Sequence, residues 1–235
     1  AFLALDLPLM AGPRACWRAW AAARTAADAS GDRDLAIWVR GQEAEESYYM
    51  KRPGPAADNL TAEAVRLADG RPCLGLLNAL EVRSRIHADQ RQADAAHKAL
   101  RELKETYATL PDQVTGDPIS VWGRPLTHIL WVEGWVLTKL GDARRAAPLL
   151  EQAIADSAQE RVGGRTNIAL VQMWAVIKQG EVTEGLDRAV QLVGSLPVSP
   201  ERRRIVGEIL NDLPERARAL SAARELRTLV SAAAA

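Results

Sequence analysis

Helical periodicity runs through all 235 residues of this sequence, and it is cut at short intervals by Gly, Pro and Asp. Strand signals are nearly absent, with one Phe, three Tyr and no run of alternating β-branched residues. Helices joined by two to five residues pack antiparallel with their neighbours, and pairs repeated along a chain mark a solenoid. The stops predict helices over Pro13 to Ser30, Asp34 to Met50, Leu60 to Asp69, Cys73 to His87 and Ala93 to Thr109. The stretch "LPDQVTGDPIS" (110–120), with two prolines, a glycine and two aspartates, reads as a loop joining two halves. Further helices follow over Pro125 to Leu140, Ala143 to Ala158, Arg165 to Gln179, Thr183 to Leu196, Pro200 to Asn211 and Glu215 to Val230. The expected organisation is degenerate repeats over 1–109, clearer repeats over 121–198, closing helices over 199–231 and a tail, 232–235.

The segment "GWVLTKLGDARRAAPLL" tests the repeat. A glycine inside a helix costs roughly 1 kcal/mol relative to alanine, so Gly134 needs a packing reason. It lies twelve residues before Ala146, with Leu150 four later and Ala153 three after that. Those intervals fit the tetratricopeptide pattern, in which small residues stand where the two helices of a pair touch. The turn "KLGD" recurs thirty-nine residues later as "KQGE", with Gly185 five after Gly180 as Ala146 is five after Gly141. Upstream, "RIHADQRQADAAHKAL" reads as a worn copy. The fold class expected is therefore all-α, a tetratricopeptide-like α-solenoid of antiparallel helix pairs. In the turns "GDRD" (31–34) and "GDAR" (141–144), Asp is placed to cap the following helix.

Thirty basic residues balance thirty acidic ones. A neutral chain has no broad attraction for nucleic acid or an anionic membrane. No charge-free stretch of 18 apolar residues marks a membrane span. The opening "AFLALDLPLM" lacks a basic leader and a cleavage site, so it is a poor signal peptide. It also lacks an initiator Met and looks like the middle of a helix in a longer protein, while "SAAAA" carries no functional argument. Cys16 and Cys73, among small apolar residues, read as reduced, buried thiols of a cytoplasmic protein. Chemistry-bearing motifs are missing. There is no nucleophile elbow, P-loop, Rossmann glycine string or HExxH helix. "GRPLTH" and "VGGRTN" follow no strand, and His87, His97 and His128 lack zinc spacing. The reading is a non-enzyme with no cofactor.

The stretches "ACWRAWAAARTAADASGDRDLAIWVRGQ" (15–42), "YYMKRP" (48–53), "KLGDARRAAPLLEQA" (139–153) and "LPERARALSAARELRTL" (213–229) resemble the C-terminal, tetratricopeptide-like half of actinobacterial regulators. In that family a lambda-repressor-like helix-turn-helix domain comes first. Nothing here resembles that domain, so the resemblance implies DNA contact only through a part absent from this chain. It also implies an extended peptide or a small-molecule effector held in a concave groove.

The register set by Gly134 places His128, Trp131, Trp135 and Thr138 on the groove face, and Asn167, Leu170, Trp174 and Lys178 in the next unit. The worn unit offers Asn78, Glu81 and Arg85, and the earliest pair Trp38, Glu45 and Tyr48. Trp supplies apolar area and one donor, Asn a donor and an acceptor for peptide backbone, and Lys a charge for a carboxylate. Trp131 and Trp135, four apart, share a helix face whether that face is groove or core. The closing helices, Pro200 to Val230, either cap the array or form a homodimer contact. The rival to a sensor is a protein-interaction scaffold that uses the same groove without a small ligand.

Overall fold

The computed structural model describes residues 12–117, 120–159 and 161–232. Every element within them is helical, and they contain no strand. The apolar opening and the last three alanines of the tail lie outside the described residues. Among the described residues no helix is long and apolar enough to cross a membrane. The chain divides into two compact units, Ala1–Arg124 and Pro125–Ala235. The division falls after Arg124, a little beyond the expected joint. The region predicted as loop holds a one-turn helix, and Arg124 N–H donates to the Val114 carbonyl at 2.8 Å.

The first unit comprises α1 (Pro13–Ser30), α2 (Arg33–Tyr49), α3 (Ala56–Ala68), α4 (Leu74–Asp89), α5 (Ala93–Ala108) and α6 (Asp112–Thr115). Gly31, with φ 72°, ends α1, and the Asp32 side chain accepts from Leu35 N–H at 3.0 Å to cap α2. Helices α2 and α4 pack closely. A Cβ on Gly75 would lie 2.4 Å from Trp38 N, and one on Gly41 2.8 Å from the Gly75 carbonyl oxygen. One helix end further on, Arg85 Nη1 donates to Tyr49 Oη at 2.7 Å, across 36 residues of sequence. The contacts advance together along both helices, so α2 and α4 run parallel.

Ion pairs tie the flanking helices to α2. The Arg40 guanidinium donates to both Asp28 carboxylate oxygens, at 2.8 and 2.9 Å, and to Glu63 at 2.9 Å. Glu43, fully buried, is clamped by Arg24 at 2.7 Å and Arg52 at 2.9 Å. A carboxylate this deep is tolerated only when paired, and two guanidinium groups meet that need.

Cys16 is buried and Cys73 half-buried. Burial, with Glu46 nearby, pushes the Cys16 thiol from 9.0 up to about 11. A raised thiol pKa means that the folded state holds the proton more tightly than the unfolded one. The Cys16 contribution to stability is therefore full below pH 9.0 and is lost as pH rises towards about 11. Two results are expected. Cys16→Ala flattens the alkaline fall in stability, and iodoacetamide at pH 8 labels Cys73 before Cys16 in the native protein. Equal labelling rates would show that the Cys16 environment is wrongly described.

The second unit comprises α7 (Leu126–Leu140), α8 (Ala143–Asp156), α9 (Val162–Lys178), α10 (Val182–Gly194), α11 (Pro200–Asp212), a 3-10 turn (Glu215–Ala217) and α12 (Ser221–Ala232). Gly141, with φ 96°, ends α7, and Asp142 accepts from Arg145 N–H at 3.4 Å, repeating the cap at the start of α2. Gly134 does mark a close approach, but its neighbour is Leu150 rather than Ala146. A Cβ there would meet Leu150 Cδ2 at 2.5 Å. Gly185 plays the same part in the next pair, where an added Cβ would lie 2.5 Å from Ile177 Cγ1.

The single last helix expected from Glu215 is broken instead. A continuous helix through buried Ala217 would turn 220, 221 and 224 inward, yet the buried residues are Ala222, Ala223 and Leu226. The 3-10 turn makes the phase shift.

Candidate functional site

In the second unit the predicted face is built but already occupied by the unit's own residues. Trp131 and Trp135 meet edge to face at 6.1 Å and 82°, and Trp135 and Trp174 at 5.9 Å and 84°. His128, half-buried, abuts Trp131 at 5.2 Å. Trp135 and Trp174 are 0% exposed and Trp131 4%, so the ladder is core packing of α7 on α9. Several of the polar groups pair with α11. Asp212 Oδ2 accepts from Trp174 Nε1 at 3.0 Å and from Lys178 Nζ at 3.0 Å. The Asn167 amide donates to Glu201 and accepts from Arg202 Nε at 3.2 Å. Glu208 pairs with Lys139 and, at 2.9 Å, with Arg204. The signal for this cover was in the sequence: Glu201, Glu208 and Asp212 are seven and four apart, one helix face.

The first unit brings its six predicted residues to one seam, the face shared by α2 and α4. Trp38, Glu45 and Tyr48 come from α2, and Asn78, Glu81 and Arg85 from α4. Carboxylate oxygens of Glu45 and Glu81 lie within 4.8 Å of each other. Arg85 is fully buried beside them, its guanidinium 5.5 Å from the Tyr49 ring centroid. Burial alone would pull the Arg85 pKa down. Tyr49, Glu81 and Glu45 outweigh it and hold the group above its ordinary range. Tyr48 is buried edge-on to Tyr49 at 5.6 Å.

Asn78 also lies in this network. It is 0% exposed, and neither its Nδ2 nor its Oδ1 has a hydrogen-bond partner among the described residues. An unsatisfied buried amide costs about 1–3 kcal/mol. Its Cβ sits against Gly41, one turn before Glu81 on the same face of α4.

Two residues that the sequence reading passed over complete the seam. Trp122 lies against Trp38, ring centroids 4.4 Å apart, and is 42% exposed. Arg124 lies between the two carboxylates, 3.7 Å from Glu45 and 3.8 Å from Glu81. Both come from the non-helical segment after α6, where no periodicity announces a facing side. Next to Trp122 is a cavity of about 430 Å³, lined by Trp38, Cys73, Leu74, Gly75, Pro111 and Val114 among others. The seam thus has an apolar end under Trp122 and a charged end under Arg124. The seam offers an aromatic wall, a buried amide and a carboxylate pair.

Compared with protein-family models, with curated proteins and with solved structures, the chain matches none.

Proposed function

We propose that the chain is the effector-sensing, tetratricopeptide-like domain of a bacterial transcriptional regulator, and that its ligand binds along the α2/α4 seam of the first unit. The repeat reading is supported by the recurring offset between parallel helices. Arg85 stands 36 residues after its partner Tyr49, Trp174 thirty-nine after Trp135, and Asp212 38 after Trp174. A solenoid of helix pairs has this property, each pair resting on the one before. DNA contact belongs, in this reading, to a domain outside the chain.

One observation carries the choice of seam: the enclosed, unpartnered amide of Asn78. Buried polar groups almost always find partners, and an amide with none among the described residues is open to a bound water, ion or ligand. The adjoining cavity, about 430 Å³, falls within the roughly 300–1,000 Å³ of small-ligand sites.

The test is the native mass of the purified chain against its denatured mass, for the natural protein and for Asn78→Leu. A co-purified mass in the first that is lost in the second is the expected result. Asn78→Leu should fold at least as stably, because it removes a polar group that has no partner. If it instead loses more than about 1 kcal/mol, the amide is a structural group and the seam is not the site. A clean mass in both turns the reading to the scaffold, with a protein partner on the same face.

A further inference from the structure

Four arginines are buried among the described residues: Arg40, Arg85, Arg124 and Arg202. The first three stand against carboxylates. Arg40 pairs with Asp28 and Glu63, Arg124 lies beside Glu45 and Glu81, and Arg85 feels the charges of Glu81 and Glu45. Arg202, in the first turn of α11, is different. It is 4% exposed and forms no ion pair among the described residues. Its Nε donates to the Asn167 side-chain oxygen at 3.2 Å and its Nη1 to the Pro197 carbonyl, both neutral acceptors. Burial pulls this guanidinium below its ordinary range, with Glu201 opposing. The Glu201 carboxylate itself accepts from the Asn167 amide.

The third nitrogen of Arg202 faces the start of another helix. Nη2 makes no hydrogen bond among the described residues, and it lies 3.8 Å from where a Cβ on Gly163 would be. Gly163 is in the first turn of α9, and the opening N–H groups of a helix have no partner within it. No side chain caps α9, and its first turn holds no acidic residue. Such an end carries roughly half a unit of positive charge. A buried guanidinium against it is repelled, and the repulsion is stronger away from water. An anion between the two turns that repulsion into two attractive contacts.

The local sequence agrees. "VGGR" (162–165), which follows no strand, opens α9 with two glycines. Neither has a positive φ. Neither is pressed by a neighbour, the nearest atoms to their Cβ positions lying at 3.8 Å for Gly163 and 3.9 Å for Gly164. Backbone conformation and packing therefore do not call for glycine here. The pair instead leaves the first-turn N–H groups uncovered, as glycines do where a backbone approaches an oxyanion. Arg165, half-buried, adds positive charge to the same end, its Nη1 donating to the Ser157 carbonyl at 2.8 Å.

We infer that the N-terminus of α9 and Arg202 form a binding site, within the second unit, for a phosphate group, either the free ion or a monoester. One oxygen accepts from the N–H groups of Gly163 and Gly164, and another from Arg202 Nη2. A guanidinium edge suits a phosphate because its donors are fixed in a fork. This site neither uses the α2/α4 seam nor depends on it.

The test titrates inorganic phosphate into the full-length chain by calorimetry, with ionic strength held constant by sodium chloride. The natural chain should give a saturable, single-site isotherm. Arg202→Gln should weaken binding about tenfold or more, the scale of one lost hydrogen bond to a charged group. Gly163→Asp leaves the buried arginine untouched and serves if Arg202→Gln folds poorly. Its carboxylate supplies the anion from within the chain, so it should fold at least as stably as the parent and lose phosphate binding. Gly163→Asn, of the same shape without the charge, should keep it. A natural chain that takes up no phosphate overturns the inference. So does Gly163→Asp binding as tightly as the natural chain, or Gly163→Asn losing binding to the same extent as Gly163→Asp. Methyl phosphate separates the two sources: affinity equal to that of inorganic phosphate marks a site for a phosphorylated molecule, and its exclusion a site for the free ion.

Discussion

Gly75→Ala should destabilise the first unit by about 3 kcal/mol, lowering its melting midpoint on the order of 10 °C. The added methyl would lie 2.4 Å from Trp38 N and 2.6 Å from the Ile37 carbonyl carbon. Those are backbone atoms, which cannot swing aside as the end of a side chain can. The two helices must separate or slide, and Gly41 and Asn78 meet at the next contact along. The gain in helix propensity, roughly 1 kcal/mol, is too small to offset this. Gly194→Ala is the control: nothing stands within 4 Å of its Cβ position, so stability should hold or rise slightly. Thermal melts of the two variants by circular dichroism decide it. A Gly75→Ala protein within about 1 kcal/mol of the parent would mean that α2 and α4 do not approach so closely.

Trp135→Ala should cost about 3–5 kcal/mol, the range for deleting a large aromatic from a packed core. The indole is 0% exposed and touches rings on both sides, Trp131 at 6.1 Å and Trp174 at 5.9 Å. Truncation leaves an apolar void that α7 and α9 cannot fill without moving. His128→Ala, at the half-buried end of the same row, should cost far less. Chemical denaturation read by far-ultraviolet circular dichroism is the measurement. If Trp135→Ala keeps parental stability and alters only ligand retention, the ladder belongs to a groove after all.

Much of this architecture is legible in the sequence, because its signals are local. Gly-Asp turns at 31–32 and 141–142 state both where one helix ends and how the next is capped. Gly134 announces a close approach, though its spacing to Ala146 and Leu150 does not say which of them it touches. The groove assignments were harder for a physical reason. A helix has one inward face, and a period of 3.6 residues reports that face without saying whether solvent, a ligand or another helix lies beyond it. Trp131, Trp135 and Trp174 share one inward face, and that face is packed. Asn167 and Lys178 were chosen for their polarity, and α11 uses that polarity for its own docking. Trp122 and Arg124 escaped because they lie outside any helix, where side-chain direction depends on turns such as the one at Gly123 and not on period.

The even offset between parallel helices bears on how the chain is made. Side chains that meet across α2 and α4 are 36 residues apart, and those across α9 and α11 are 34 to 38 apart. A ribosome extending the chain at about 5–20 residues per second exposes each such partner within seconds of the one it docks on. Most of a helix's apolar face is thus covered soon after synthesis, while Trp38 of α2 waits for Trp122, further along the chain. Loop closure over so few residues is also quick, which puts the chain among topologies that fold fast for their length.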